Sequence, residues 1–306
     1  MRLMHWLKKE RSGLAFSTLE IAKYEERQGH EVCIKEPSGN VIHGRDFKPD
    51  LHLIHSQIDP SVYHDGVPKL LFCHGEPLSS VGNGISMKAI LDLAPICDAF
   101  ICMRKEEMPI WNLIKRTHYI PKGIDLEQFR PLPGITEKLS GEPAVLYAEH
   151  WRGQRNPLYL IVAMAQVYKK YPKARLHLYN CTDKKMLQTF DALIKYAKLW
   201  PFVRSLKGPE QDVNLLYNRC DLLVGCLHPL FARGVEIFGA GKPYISPGYR
   251  HEGWPFPCQL EPQSMANAII SCWENYDKID YRKWAEDHHD VNKMVEKAIE
   301  IYKRYI

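Results

Sequence analysis

The sequence predicts a chain of the α/β class, built from two Rossmann-like domains that face each other across a cleft. Short apolar runs of strand length alternate with helical patterns in both halves of the chain, and this alternation is typical of parallel sheets covered by helices. A segment rich in proline and glycine interrupts the alternation near the middle, as linkers between domains do. The length of 306 residues is enough for two domains of about 150 residues each.

The first half opens with a strand, "MRLMHWL", followed by a helix, "GLAFSTLEIAKYEERQG". The helix is predicted because apolar residues at 19, 21, 22 and 24 recur among charged residues, and Gly29 is placed to end it. Polar residues, glycines and prolines then separate the predicted strands "HEVCIKE", "LHLIHS", "KLLFCHG", "AFICM" and "HYIPKG". Two helical patterns lie between these strands, "SMKAILDLAPIC" and "KEEMPIWNLIK".

The second half repeats the alternation after the interruption. Its predicted strands are "AVLYAEH", "ARLHLYN", "FVRSLKG", "DLLVGC" and "PYISPG". The helices between them are "NPLYLIVAMAQVYKKYP", "KKMLQTFDALIKYAKLW", "QDVNLLYNRC" and "ARGVEIFGAG", and helices at 262–276 and 290–306 close the chain.

These patterns set the predicted domain boundaries. We place a first domain at 1–127, a linker at 128–143 and a second domain at 144–288. The remaining residues, 289–306, are predicted to form a helix that returns to pack toward the first domain.

Composition argues against several classes of protein. Hydrophobic residues make up 45% and charged residues 25% of the chain, which is ordinary for a globular protein. The 41 Lys and Arg residues exceed the 36 Asp and Glu residues by 5, and the charges are interspersed, so the balance alone does not indicate a nucleic-acid partner. The 9 cysteines are scattered without a CxxC pair, which predicts reduced core thiols and argues against a zinc or disulfide framework.

The sequence contains no apolar stretch of the length that a transmembrane helix needs, about 18 residues. The basic residues of the N-terminus follow its short apolar part, which is the wrong order for a signal peptide. We therefore expect a cytoplasmic protein. Peripheral contact with a membrane stays open, because "KYAKLWPFVRSLK" mixes basic and aromatic residues as interfacial segments do.

Several motifs, in order along nearly the whole chain, resemble the retaining glycosyltransferases of family 4, which have the GT-B fold. "SGLAFSTLEIAKYEERQGHEV" is similar to the glycine loop, first helix and second strand of that family, and "KLLFCHG" is similar to its histidine-bearing strand. "YIPKGIDLEQFRP" resembles the family's hinge. Three later segments of the chain resemble the motifs of the family's donor domain: "AEHWRGQRNPLYLIVAMAQVYKKYPKARLHLYN", "LLYNRCDLLVGC" and "HPLFARGVEIFGAGKP".

The last of these motifs implies a donor-binding carboxylate. By the resemblance, Glu236 binds the ribose hydroxyls of a nucleotide-sugar, and a carboxylate can accept hydrogen bonds from two neighbouring hydroxyls at once. The helix that carries it is predicted to begin near Ala232, so that free N–H groups point at the donor diphosphate. The family usually has a second glutamate eight residues earlier, where this chain has His228. We expect His228 to contact the transferred sugar, and a loop histidine without a ligand is the alternative.

The resemblance also implies a pair of cations for the diphosphate. The family uses an arginine and a lysine after the first strand of the second domain. Alignment on "NP" places Arg155 at the lysine position and His150 at the arginine position, with Arg152 between them. We expect Arg152 and Arg155 to bind the diphosphate, because a guanidinium can donate two hydrogen bonds to a phosphate and stays charged. The sequence contains no DxD motif, so we expect no obligatory metal. No cofactor is expected, and we expect the donor substrate to be a sugar linked to UDP or GDP.

The first domain supplies further candidates. His74 ends a predicted strand. By the resemblance, it lies near the donor sugar and the attacking hydroxyl. His74 and Glu236 are therefore the two predicted catalytic residues. Glu76, in the same loop, and His55, at another strand end, are candidates for the acceptor side. Gly13 would let the backbone approach the donor closely.

The function that these residues imply is transfer of a sugar from a nucleotide-diphosphate sugar to an acceptor hydroxyl, without a metal. Retention of the anomeric configuration is implied by the resemblance alone. The acceptor could be a glycan, a lipid-linked sugar or a small molecule. Two alternatives stay open: a glycosyltransferase that acts on a hydroxymethylated base in DNA, as in phage modification enzymes, and a GT-B protein that binds a nucleotide-sugar without catalysis.

Overall fold

The computed structural model describes residues 1–8, 13–73, 87–148, 158–179, 188, 192, 195, 202–206, 212–225, 232–249 and 251–306. The strands are β1 (Arg2–Trp6), β2 (Glu31–Lys35), β3 (Val41–His43), β4 (Leu51–Ile54), β5 (Lys69–Cys73), β6 (Ala99–Cys102), β7 (Thr117–Tyr119), β8 (Ala144–Tyr147), β9 (Arg175–Tyr179), β10 (Val203–Leu206), β11 (Leu222–Val224) and β12 (Tyr244–Ile245). The helices are α1 (Gly13–Arg27), α2 (Met87–Leu93), α3 (Met108–Asn112), α4 (Leu158–Lys170), α5 (Val213–Arg219), α6 (Ala232–Gly239), α7 (Pro262–Glu274), α8 (Tyr281–His288) and α9 (Val291–Tyr302).

The chain divides into two compact units, and the first consists of Met1–Gly123 with His288–Ile306. Its sheet has the strand order β3-β2-β1-β4-β5-β6-β7, and the described pairs are parallel except for β2 with β3. The order reverses between β1 and β4, which makes this pair the switch point of the sheet. In open α/β sheets, ligands bind outside the carboxyl ends of the strands at such a point.

The two faces of the first sheet bury separate cores, because successive side chains of a strand point to opposite faces. Leu3, Leu53 and Phe72 belong to the core beneath α1 and α9. Met4 and Trp6 belong to the core on the other face. Both faces are therefore covered, as the nearly continuous apolar strands predict.

Helix α9 completes the first unit, although it lies at the end of the chain. It packs against α1, and Val291 and Met294 are among its buried residues. A side chain at Gly123 would place its Cβ 2.6 Å from the Cα of Val291, and the Gly123 N–H donates to the Sδ of Met294 at 3.0 Å. Gly123 is thus needed for close approach to the last helix.

The second unit spans Ile124–Asp287. Its sheet has the order β10-β9-β8-β11-β12, with parallel neighbours throughout, and its switch point lies between β8 and β11. Helix α4 packs against α7. Phe129 and Leu139, from the proline- and glycine-rich segment, are buried in the core of this unit.

These features confirm the α/β class with parallel sheets that the sequence predicts. The described cysteines are free thiols, mostly buried, and burial raises the pKa of Cys97, Cys220 and Cys272 to about 12. Within the described ranges, no helix has both the length and the apolar character needed to cross a membrane.

Candidate functional site

The second unit holds Glu236 on α6, in a half-buried position. The hydroxyl of Tyr217, on α5, donates a hydrogen bond to Oε2 of Glu236 at 3.1 Å. Tyr217 is fully buried, and its ring packs against Phe129 at a centroid distance of 6.1 Å. A side chain fixed in the core therefore orients the carboxylate, and a carboxylate has acceptor capacity for several donors.

Two glycines allow α6 to lie where it does. A Cβ at Gly234 would overlap the ring of Tyr244, on β12, and a Cβ at Gly239 would lie 2.6 Å from the carbonyl oxygen of Phe129. The neighbouring Val235 and Phe238 are fully buried. The helix thus packs closely against the sheet, and this packing fixes the position of Glu236.

The topology of the second sheet relates α6 to the predicted diphosphate residues. Strands β8 and β11 are neighbours on either side of the switch point. The segment with Arg152 and Arg155 follows β8 in the chain, and the segment with His228 follows β11 and leads to α6, which begins at Ala232. These three predicted residues lie outside the described residues, and their roles stay predictions.

Of the first-unit candidates, the structure describes Gly13 and His55. Gly13 begins α1, and His55 directly follows β4, whose neighbour at the switch point is β1. His55 is fully buried, so its side chain does not reach solvent in this structure. His74 and Glu76 lie outside the described residues.

The environment of His55 contains two residues that sequence reasoning missed. Its Nε2 lies 2.9 Å from Nδ1 of His5, and Nε2 of His5 lies 2.7 Å from Oε2 of Glu25. A histidine inside the apolar run "MRLMHWL" is the one signal that could have pointed to this group.

A second buried carboxylate, Glu107, lies beyond the carboxyl end of β6. It forms an ion pair with Arg104, and the indole N–H of Trp111 points at it from 3.4 Å. Burial raises the pKa of Glu107 to about 6. Glu107 and His55 both follow strands whose carboxyl ends lie at the same edge of the sheet.

Two polar residues of the predicted motifs have structural roles. Asp125, from the hinge motif, accepts backbone N–H bonds from Glu127 and Gln128 at 2.9 Å. Lys242, from "GAGKP", donates to the hydroxyl of Tyr276 at 2.9 Å, and burial lowers its pKa. Their contacts stabilise a turn and the start of β12.

The described residues do not form a candidate metal site. Among them, no group of three or more His, Cys, Asp or Glu side chains is arranged to hold an ion. The metal requirement therefore stays a prediction from the sequence.

Comparison with known proteins identifies the fold. No family model and no curated protein matches the sequence. Among solved structures, a glycosyltransferase from Rickettsia africae ESF-5 superposes with a TM-score of 0.77 at 17% identity, covering 99% of this chain and 98% of that chain. Anabaena HepE in complex with UDP and glucose superposes with a TM-score of 0.72 at 16% identity, covering 99% of this chain and 100% of that chain. Sucrose-phosphate synthase from Thermosynechococcus elongatus superposes with a TM-score of 0.74 at 14% identity, covering 99% of this chain and 98% of that chain.

At these identities the likeness shows the fold. The chain has the GT-B fold of these enzymes over almost its entire length, which confirms the predicted fold class. Because one fold can serve many activities, the function has to be argued from the site.

Proposed function

We propose that the protein is a glycosyltransferase that moves a sugar from a nucleotide-diphosphate sugar to an acceptor hydroxyl. The observation that carries this proposal is the placement of Glu236. A carboxylate oriented by a buried tyrosine lies on the helix that follows the switch-point strand β11. The GT-B fold, shared along the chain with glycosyltransferases, supports the same reading.

Glu236 binds the ribose of the donor in this proposal. Its two oxygens accept from the neighbouring ribose hydroxyls, and the Tyr217 hydroxyl keeps one oxygen in place. The N–H groups of the first turn of α6, beginning at Ala232, face the diphosphate, where the helix dipole favours negative charge.

Arg152, Arg155 and His228 complete the donor site in this proposal, on the strength of the sequence. The two guanidiniums neutralise the diphosphate, whose negative charge grows as the sugar leaves. His228 donates or accepts one hydrogen bond with a hydroxyl of the sugar. The chain segments that carry them follow the two strands at the switch point, which is where open α/β sheets bind ligands.

The reaction that we propose breaks the bond between the anomeric carbon and the phosphate oxygen and forms a bond from that carbon to the acceptor oxygen. The acceptor proton passes to the departing phosphate. Attack from the face that the phosphate leaves gives retention. Transfer without an obligatory metal is supported by the absence of a DxD motif in the sequence.

Two substrate assignments belong to the proposal. UDP is the first choice of nucleotide, because structures of HepE, which shares the fold, contain UDP and UDP-glucose, and GDP is the second. The acceptor hydroxyl belongs to a glycan, a lipid-linked sugar or a small molecule, and we place His74 beside it.

A panel of UDP- and GDP-sugars, scored by thermal shift and by release of the nucleoside diphosphate, tests the proposal. At least one donor should stabilise the chain and be turned over, and Glu236→Ala should reduce turnover about 10- to 100-fold, because loss of a hydrogen bond to a charged group costs about 1.5–3 kcal/mol. Glu137→Ala is the control, since that carboxylate is 82% exposed on the same unit. Absence of binding and turnover with every donor, or full activity of Glu236→Ala, would refute the assignment.

A further inference from the structure

The chain enters the second unit at Ile124, and we call residues 126–132, which follow, the entry segment. This segment contacts both helices that hold the candidate donor carboxylate. Helix α5 carries Tyr217, and α6 carries Glu236. The contacts that fix the entry segment therefore also affect the position of the carboxylate.

Arg282, on α8, joins the entry segment to the end of α6. Its Nη1 donates to the carbonyl oxygens of Phe129 and Gly239 at 2.9 Å each, and to that of Leu126 at 3.2 Å. Its Nε donates to Glu286 at 2.9 Å, which holds the other side of the guanidinium. A guanidinium suits this role because its N–H donors have a fixed planar arrangement.

The contact with Gly239 caps the C-terminal end of α6. The last carbonyl groups of a helix have no partners within the helix. The turn after α6 satisfies the carbonyl of Phe238 through the N–H of Gly241 at 2.9 Å. The carbonyl of Gly239, the last residue of the helix, accepts from Arg282. A positive charge at this end is also favourable for the helix dipole.

Two routes connect Arg282 with the donor carboxylate. Glu236 lies three residues before Gly239, about one turn away on the same helix. Phe129, whose carbonyl also accepts from Arg282, packs against Tyr217 at a ring-centroid distance of 6.1 Å. The hydroxyl of Tyr217 in turn donates to Glu236. Arg282 therefore holds both the helix that carries the carboxylate and the residue that packs against its hydrogen-bond donor.

Two almost fully buried asparagines of α5 hold the rest of the entry segment. The side-chain amide of Asn218 donates to the carbonyl of Arg130 at 2.9 Å and accepts from the N–H of Leu132 at 2.8 Å. Oδ1 of Asn214 accepts from the N–H of Arg130 at 3.2 Å. Satisfied polar networks of this kind make a core rigid. The entry segment is thus a fixed support against which Arg282 holds α6.

We propose that Arg282 is a positioning residue for the donor site: it holds the C-terminal end of α6 against the entry segment and so places Glu236 for the ribose hydroxyls. This role rests on the proposed function, in which Glu236 binds the donor ribose. Arg282 contacts the opposite end of α6 from the first turn, which faces the diphosphate in that function. Its effect on donor binding therefore passes through Glu236.

Calorimetric titration of UDP, or of GDP if the wild type binds it more tightly, tests the role in Arg282→Gln, Glu236→Ala and the double variant. We expect Arg282→Gln to weaken nucleotide binding about 2- to 10-fold, the range of one net hydrogen bond. In the Glu236→Ala background the same change should cost less than about twofold, because the residue through which Arg282 acts is gone. Equal losses in both backgrounds, or wild-type affinity of Arg282→Gln, would overturn the proposal.

Arg175→Gln is the matched control. Nη1 of Arg175, on β9, also donates to two backbone carbonyls of the second unit, those of Pro172 at 2.9 Å and Ala174 at 2.8 Å. Its nucleotide affinity should equal that of the wild type even if its free energy of unfolding falls. A loss as large as that of Arg282→Gln would indicate general loosening of the unit and would overturn the positioning role. Should Arg282→Gln fail to fold, Arg282→Lys, which keeps the charge with a different donor geometry, replaces it in the experiment.

Hydrogen exchange without ligand separates this proposal from the proposed function. In Arg282→Gln the backbone amides of residues 240–242, at the end of α6, should exchange about 2- to 10-fold faster relative to those of α7. Arg175→Gln should leave this ratio unchanged. If the wild type binds neither nucleotide, the proposed function fails and the donor role of Arg282 fails with it, while exchange still decides whether Arg282 holds α6. Unchanged exchange in Arg282→Gln would overturn the proposal even where the nucleotide binds.

Discussion

Tyr217 is a buried core residue of the second unit that contacts the Glu236 carboxylate. Its hydroxyl donates to Glu236 at 3.1 Å, so Tyr217→Phe removes the donor and leaves the ring packing intact. We expect the affinity for the nucleoside diphosphate to fall about 2- to 10-fold, or about 0.5–1.5 kcal/mol, because the hydroxyl positions the carboxylate and does not itself contact the ligand. Calorimetric titration measures this loss, and the free energy of unfolding serves as the control for packing. Affinity equal to that of the wild type would mean that the hydroxyl does not hold the carboxylate for binding.

Residues differ in how far the sequence alone could predict them. Glu236 was predictable, because it lies in a continuous motif that ends in "GAGKP". Tyr217 was not, since its contact with Glu236 depends on how α5 and α6 pack, and no local pattern encodes that. The same holds for His5 and Glu25, which meet only when α1 folds over β1. Whether Arg152, Arg155, His228, His74 and Glu76 act as the sequence predicts is not tested by the described residues.

Helix α6 depends on Gly234 for its position on β12. An alanine there would press its Cβ into the ring of Tyr244, and Tyr244 is almost fully buried. We expect Gly234→Ala to lower the free energy of unfolding of the second unit by about 1–3 kcal/mol, as overpacking of a core does. The affinity for the nucleoside diphosphate should fall as well, because α6 carries Glu236.

Denaturant unfolding and calorimetry test this prediction together. The double variant Gly234→Ala/Tyr244→Leu removes the ring that the alanine meets, so its nucleotide affinity should return toward that of the wild type. If the single variant is as stable as the wild type and binds equally well, α6 is not held in place by this contact.

The secondary structure shows which elements sequence patterns can predict. Apolar runs predicted the buried strands because those strands are covered on both faces. Strand β3 was missed because it is a short edge strand with exposed and half-buried residues. Helix α8 was missed because its buried residues are only Tyr281 and Ala285, which is too weak an apolar pattern to recognise. The strand orders and their switch points required the structure, because pairing between distant strands leaves no local signal.

The stability of the protein should depend on pH through Glu107. Its pKa rises from 4.5 to about 6 because of burial, so the folded protein holds this proton more tightly than the unfolded chain. The resulting stabilisation is present below pH 4.5 and is lost as the pH rises to about 6. A shift of this size corresponds to about 2 kcal/mol.

Unfolding free energies across this pH range test the prediction. In Glu107→Gln the decline between acidic and neutral pH should be smaller than in the wild type by that amount. Glu106→Gln is the control, because the neighbouring carboxylate is 44% exposed, and its decline should match that of the wild type. Parallel curves for the wild type and Glu107→Gln would contradict the prediction.

The central claim is that the second unit binds a nucleoside diphosphate, with Glu236 on the ribose and Arg152 and Arg155 on the phosphates. Calorimetric titration of UDP, GDP and the matching nucleosides into the wild type and the three alanine variants tests it most directly. Both ligand types contain ribose, so Glu236→Ala should weaken binding of the nucleoside and of the diphosphate by similar factors. The arginine variants should weaken binding of the diphosphate alone, because only that ligand presents the charge that guanidiniums bind. Unchanged affinity of Glu236→Ala for both ligands, or equal losses for both ligands in the arginine variants, would contradict the claim.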